Sequence, residues 1–268
     1  MNAVSLGPLV LAADRFAVVL GMLVFVLVAG MLARRVDARF AGWSWWVLLG
    51  GIAAARLGHV LVNWSSFMQE PWRVVALWQG GFHWPSAAVA VAASVVLVLR
   101  TGRLRLWALL PLALAVVVWN TTLQLTTSSQ NVALPAMTFA MLDGGTYPLD
   151  APSGTPRVVN LWATWCPPCR REMPMMADVA ATTDGLDFVF ANQGEDPQRI
   201  DAYLADVGLS LELVLLDQFR DLARHYGAPG LPTTLFIAAD GTLQHAHLGE
   251  ISREVLQARI AALLDDQP

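Results

Sequence analysis

Cysteine is nearly missing from this chain, which holds only Cys166 and Cys169, and residues 1–165 contain none. That absence excludes a relay of electrons through the first half by disulfide exchange, because each step of such a relay is thiolate attack on a sulfur. Two cysteines are also too few for a zinc site of their own, and five scattered histidines would have to complete one. Charge is scarce too, at 14% of residues. Glycine-rich phosphate loops, nucleotide fingerprints, basic nucleic-acid patches and internal repeats are all lacking, so no flavin, nicotinamide or nucleic-acid chemistry is expected. What is abundant is apolar surface: 56% of residues are hydrophobic and the mean hydropathy is +0.50, so a membrane portion is expected.

The chain divides by charge. Residues 1–133 carry nine arginines against three acids, whereas residues 134–268 carry eight against eighteen, so the two parts are built for different solvents. Nine of the eleven tryptophans precede residue 120, where amphipathic rings suit membrane interfaces. Apolar runs predict four spans, Phe16–Ala33, Trp45–Val62, a shorter Pro85–Leu99 and Trp107–Leu125. Arg34, Arg35 and Arg39 follow the first span, and Arg100, Arg103 and Arg105 follow the third, which places those loops in the cytoplasm and both termini outside. The first span lacks a basic leader and a small-residue cleavage site, so it reads as an anchor and not as a removable signal.

The polar stretch TTSSQNVALP then detaches a second domain, giving a helical membrane domain over 1–125, a linker over 126–133 and a domain over 134–268. In the last, strand patterns MTFAML, TYPL, RVVNLWAT, LDFVFAN, LELVLL, TTLFIAA and TLQHAHLG alternate with helical patterns. The order predicts an α/β fold with a mixed central sheet.

Both cysteines lie in WATWCPPCRREMP. Cys166 falls at the end of a strand and Cys169 one turn inside a helix opened by Pro167, a position where a missing N–H costs no hydrogen bond. A helix N-terminus favours thiolate over thiol, so Cys166 is the expected nucleophile, exposed at the helix start. Cys169 is then the resolving thiol. A structural disulfide is the plainer alternative, but so short a loop stabilises little. His245 and His247 share one face of a strand, where a solvated surface is the ordinary reading and a weak metal site the other.

The segments VVNLWATWCPPCRREMP and YGAPGLPTTLFIAADG resemble the thioredoxin-like TlpA/ResA group of membrane-anchored thiol-disulfide oxidoreductases facing the bacterial periplasm. The resemblance implies a thioredoxin-like fold with Cys166 and Cys169 as the redox pair. It implies a cis-proline at Pro232 beside them, and a substrate surface including Trp165, Pro167, Pro168 and Leu231. Asn160 stands where thioredoxin has a buried aspartate. Glu172 is therefore the candidate for acid–base work, against a solvated first-turn glutamate as its alternative. Pro174 matches the family's helix-kinking proline, a structural role. Protein disulfides are the implied substrates, and a membrane thiol reductase of the DsbD or CcdA kind the implied electron donor, with no cofactor. The direction of transfer, reductase or oxidase, depends on the partners' potentials.

A second segment, AARLGHVLVNWSSFMQEPWRVVALWQGGFHW, is similar to prolipoprotein diacylglyceryl transferase over about residues 50–90 through Arg56, Pro71, Trp78, Gly80 and Gly81. The family's His-Gly-Gly is replaced by FHWPSA. The membrane half is thus expected to anchor the chain among lipids, with lipid modification as the alternative and with Arg56 either pairing with a lipid phosphate or snorkelling to the interface.

Overall fold

The computed structural model describes residues 3–6, 9–126, 132–150 and 154–265, and two compact units divide the chain. In the first, a hairpin of β1 (Ala3–Leu6) and β2 (Leu9–Ala12) leads into α1 (Ala13–Arg35). The hairpin was not expected. A continuous helical span follows, made of α2 (Arg39–Trp45), a π-helical stretch (Trp46–Gly50) and α3 (Gly51–Val62). Short α4 (Trp64–Gln69), α5 (Trp84–Val98) and α6 (Gly102–Thr126) complete the unit. By length and composition, Ala13–Arg35, Arg39–Val62 and Gly102–Thr126 can cross a membrane. The 15 residues of α5 rise only about 22 Å, short of the ~30 Å hydrocarbon layer, in keeping with the short third run of the sequence.

The packing of α1 follows from its small residues. Ala13, Ala17, Gly21, Phe25 and Ala29 recur every fourth position and are buried, forming one stripe. At Gly21 a Cβ would lie 3.1 Å from the Ala115 carbonyl oxygen of α6, so glycine is what lets the two helices come this close. Phe40 and Trp43 of α2 fill the adjoining core, where the Trp43 indole N–H donates to Ser94 Oγ at 3.1 Å.

In the second unit a seven-stranded sheet runs β4-β3-β7-β6-β5-β8-β9. Its strands are β3 (Thr138–Met141), β4 (Thr146–Pro148), β5 (Arg157–Trp162), β6 (Asp187–Gln193), β7 (Val214–Asp217), β8 (Thr233–Ile237) and β9 (Leu243–Leu248). β5, β6 and β7 are parallel, and the rest join antiparallel. All six residues of β5 are buried, Arg157 and Asn160 included, as expected of a strand covered on both faces.

The crossovers from β5 to β6 and from β6 to β7 run in the same direction and put α7 (Pro167–Thr182) and α8 (Pro197–Val207) on one face. There Val158, Trp162 and Phe190 pack with Met173, Met176 and Ile200, together with Leu256 and Ile260 of α10 (Arg253–Asp265). On the other face, Val159, Leu161 and Leu235 meet Leu222 and Tyr226 of α9 (Asp221–Tyr226). This is the mixed-sheet α/β arrangement that the alternating pattern implied, and the thioredoxin-like fold that the resemblance implied.

Candidate active site

The geometry begins where β5 ends. Cys166 is the N-cap of α7, with φ −87° and ψ 107°, and its Sγ accepts the Cys169 backbone N–H at 3.3 Å. Pro167 and Pro168 occupy the first turn, whose N–H groups have no partners inside the helix. The two sulfurs are bonded at 2.06 Å with the Cα atoms 5.3 Å apart. The exposure expected of Cys166 is not found: it is 2% exposed and Cys169 fully buried, whereas Trp165 is 52% exposed. The sulfur caps the helix and turns inward onto the core with Trp162 and Ala163, and the neighbouring indole takes the surface position.

Glu172 lies one turn beyond Cys169, on the same side of α7. It is 2% exposed, which removes the solvated alternative. One carboxylate oxygen accepts the Asn160 amide at 3.0 Å and the other the Ile251 backbone N–H at 3.0 Å. Burial pushes its pKa up to about 8; the Ile251 and Asn160 hydrogen bonds oppose that rise, Glu250 adds to it and Arg171 opposes it. Asn160, fully buried on β5, also donates to Thr234 Oγ1 at 3.2 Å, and its Oδ1 has no hydrogen-bond partner among the described residues. The buried carboxyl of the helix is thus held by an amide from the strand.

The Leu231–Pro232 peptide is cis, and it precedes β8, whose pairing with β5 ends at Leu161 opposite Thr233. Leu231 is partly buried, and the Pro232 carbonyl accepts the Gly249 N–H at 2.9 Å. Pro174 sits on the exposed side of α7, and the helix continues through it.

Sequence reasoning missed two groups near the site. Arg171 pairs with buried Glu250 through two nitrogens at 2.6 and 3.0 Å, beside Ile251. Glu195 reaches back to Thr164 just ahead of Trp165. Neither pairing has a local signal, since the partners lie 79 and 31 residues apart.

His245 lies tilted against Phe236 with ring centroids 5.8 Å apart, His247 meets the Glu250 carbonyl at 3.3 Å, and no metal-holding group of three or more His, Cys, Asp or Glu occurs among the described residues. In the apolar unit, Arg56 is buried among backbone carbonyls. It is 5% exposed and donates to the backbone carbonyls of Val74 (3.0 Å), Gly81 (3.1 Å), Ala76 (3.3 Å) and Arg73. His83 Nδ1 lies 2.8 Å from Ser86 Oγ, at the start of α5.

Residues 129–264 match the redoxin family model. The chain belongs to the redoxin family. This redoxin is 32% identical over 110 residues to the thiol:disulfide interchange protein DsbE of Escherichia coli strain K12, a match covering 41% of the chain and 58% of DsbE. It is 27% identical over 131 residues to the thiol-disulfide oxidoreductase ResA of Geobacillus thermodenitrificans, covering 48% of the chain and 75% of ResA. Among solved structures, a putative DsbE from Chlorobium tepidum aligns with a TM-score of 0.46 and 26% identity, over 51% of this chain and 98% of that one. Ahead of the redoxin region, residues 2–123 match the family model of prolipoprotein diacylglyceryl transferase, far beyond the segment around Arg56 that carries the visible resemblance. The redoxin is thus fused to a membrane region related to that transferase.

Proposed function

We propose that the redoxin unit is a thiol-disulfide oxidoreductase that faces the periplasm from the inner membrane and reduces protein disulfides. The observation carrying this reading is the sulfur of Cys166 placed as the cap of α7, with Cys169 and a buried carboxyl following on the same helix. In the reduced enzyme the Cys166 thiolate attacks one sulfur of a substrate disulfide, whose S–S bond breaks, and the departing thiolate takes a proton from solvent. Cys169 loses its proton to water and attacks Sγ of Cys166, whose bond to the substrate sulfur breaks; that sulfur leaves as a thiolate and takes a proton from solvent. The second substrate thiol is released, and two electrons have passed from the dithiol to the substrate. Leu231 and Pro232 offer backbone to the bound segment, and Trp165, Pro167 and Pro168 form the rest of its contact surface.

A reductase must be recharged. With residues 1–165 free of cysteine, a separate membrane thiol reductase of the DsbD or CcdA kind supplies the electrons, and Glu172, protonated at neutral pH, returns a proton to the Cys169 thiolate. Deleting that donor should leave the pair oxidised in cells. Thiols that stay reduced in every donor deletion defeat the reductase reading and favour an oxidase. Attack order is tested by Cys169→Ala, which should trap a mixed disulfide through Cys166, while Cys166→Ala traps little. Alkaline phosphatase fused after Asn131 should be active, and fused after Arg103 inactive. The reverse pattern overturns the placement.

The match of residues 2–123 raises a second activity, diacylglyceryl transfer. We propose anchoring without transfer, because the family's His-Gly-Gly is replaced by FHWPSA. Diacylglyceryl addition to a lipobox peptide in phosphatidylglycerol liposomes, read by mass spectrometry, would reverse that assignment.

A further inference from the structure

Loops at the carboxyl ends of parallel strands β5 and β6 are tied together by one side chain. The β5 loop carries Ala163, Thr164 and Trp165 into Cys166, and the β6 loop carries Gly194, Glu195 and Asp196 into α8. Glu195 is 7% exposed and points back across the gap. Its Oε2 accepts the Thr164 backbone N–H at 2.6 Å and the Asn192 amide at 2.8 Å, and its Oε1 accepts the Thr164 hydroxyl at 2.5 Å. Both donors of the residue two places ahead of Cys166 are thus held by one carboxylate.

Local needs do not explain this placement. Asp196, not Glu195, caps α8, accepting the Gln198 N–H at 2.9 Å. Arg199 pairs with Glu195 at 3.2 Å, but its own side chain is 63% exposed, so the ion pair contributes little. The turn that delivers Glu195 is fixed by Gly194, whose φ is +82° and where a Cβ would lie 3.3 Å from Arg220 Nε. Charge-assisted hydrogen bonds to a buried carboxylate are the strong kind, and here they converge on the one residue separating β5 and Ala163 from the exposed Trp165.

We propose that Glu195 is a positioning residue for the dithiol: it clamps Thr164, and through it holds Trp165 displayed and the Cys166 sulfur shielded. The proposal rests on the oxidoreductase reading of that pair. Loosening the clamp opens Cys166 to small reagents, yet it degrades the three-sulfur alignment that exchange with a protein disulfide requires. The two effects run in opposite directions, which loss of stability alone does not produce.

The test uses the full chain in detergent micelles with Glu195→Gln, which keeps shape but replaces one acceptor oxygen by a donor, and with Thr164→Val and Thr164→Ser. Alkylation of reduced Cys166 by iodoacetamide is followed against pH in a Cys169→Ala background. Insulin disulfide reduction is followed in the two-cysteine chain. Glu195→Gln should raise the alkylation plateau about five-fold and lower insulin reduction about ten-fold. Thr164→Val should shift both in the same sense by less, and Thr164→Ser, which keeps both donors, should stay near the parent. Variants that still melt cooperatively but leave both rates unchanged, or that move only the pH midpoint of alkylation, overturn the clamp. If Glu195→Gln does not fold, Thr164→Val decides by the same readings. A parent chain that fails to reduce insulin sinks the oxidoreductase reading, while the alkylation comparison still judges Glu195.

Discussion

Arg56 in the apolar unit and Glu172 in the redoxin unit are both buried ionisable groups, and the two regions treat them in opposite ways. Around Arg56 four backbone carbonyls converge on a guanidinium that has five donors, so the charge is solvated from within and organises the segment from Arg73 to Gly81. Around Glu172 only one amide and one backbone N–H, among the described residues, serve a carboxylate able to accept about four hydrogen bonds, and burial keeps a proton on the group up to about pH 8. A fully coordinated charge builds structure. A charge left short of partners titrates, and a titrating group is what proton transfer to and from a thiol requires.

The contrast breaks first if chemistry is not confined to the second region. Cys166→Ser should abolish insulin reduction altogether, while Arg56→Lys should leave it near the parent rate. Residual turnover in Cys166→Ser would mean that another group attacks.

The next largest effect belongs to the under-coordinated carboxyl. Glu172→Gln should slow exchange about 100-fold at neutral pH, within the usual range for loss of a general acid–base group, and should erase a pH–rate inflection near 8. Stability carries the same signature. Because the folded pKa lies above the unfolded value, the folded chain binds the extra proton between about pH 4.5 and 8, and its stability falls as pH rises through that window. Thermal unfolding against pH should show this decline in the parent and a flatter profile in Glu172→Gln. An identical decline in both would assign the proton elsewhere.

The coordinated charge should respond in stability and not in rate. Arg56→Lys replaces a planar fork by three donors that cannot reach all four carbonyls, and each abandoned buried carbonyl costs about 1–3 kcal/mol. Faster proteolysis of the segment between α3 and α5, with unchanged Cys166 alkylation, is the expected result. The smallest effect is at Phe67, whose ring has the Arg56 guanidinium at 5.3 Å and that of Arg73 at 5.2 Å. Phe67→Leu should cost about 1 kcal/mol, read as a modest fall in the melting temperature of the detergent-solubilised chain.

Much of the fold was legible in the residues, for local reasons. The strand and helix patterns of the second domain coincide with β3 to β9 and α7 to α10 to within a few residues, because alternation, turn glycines and the prolines at Pro167 and Pro197 are all local signals. The hairpin β1–β2 escaped because two four-residue strands ahead of the Phe16–Ala33 run carry too short an alternation to register. At the site, the Cys-Pro-Pro-Cys spacing pointed to Cys166 and Cys169, and the family resemblance pointed to Glu172. The inward turn of Cys166 did not show, since burial of an N-cap side chain depends on what the core offers it. Thr164, Glu195, Arg171 and Glu250 were invisible for a related reason: their pairings join loops that meet only once the sheet has assembled its strand order.

Asn160 has a consequence that a carboxylate at the same place would not. An amide presents a donor and an acceptor on the two arms of one plane, and turning it over exchanges them. In the orientation seen, Nδ2 donates to Glu172 while Oδ1 has no partner among the described residues. When Glu172 carries its proton and needs an acceptor, the reversed amide supplies one, and the Thr234 hydroxyl beside it can swivel to match. An amide at this place can therefore meet either charge state of Glu172 by turning about its own side chain, without moving the backbone.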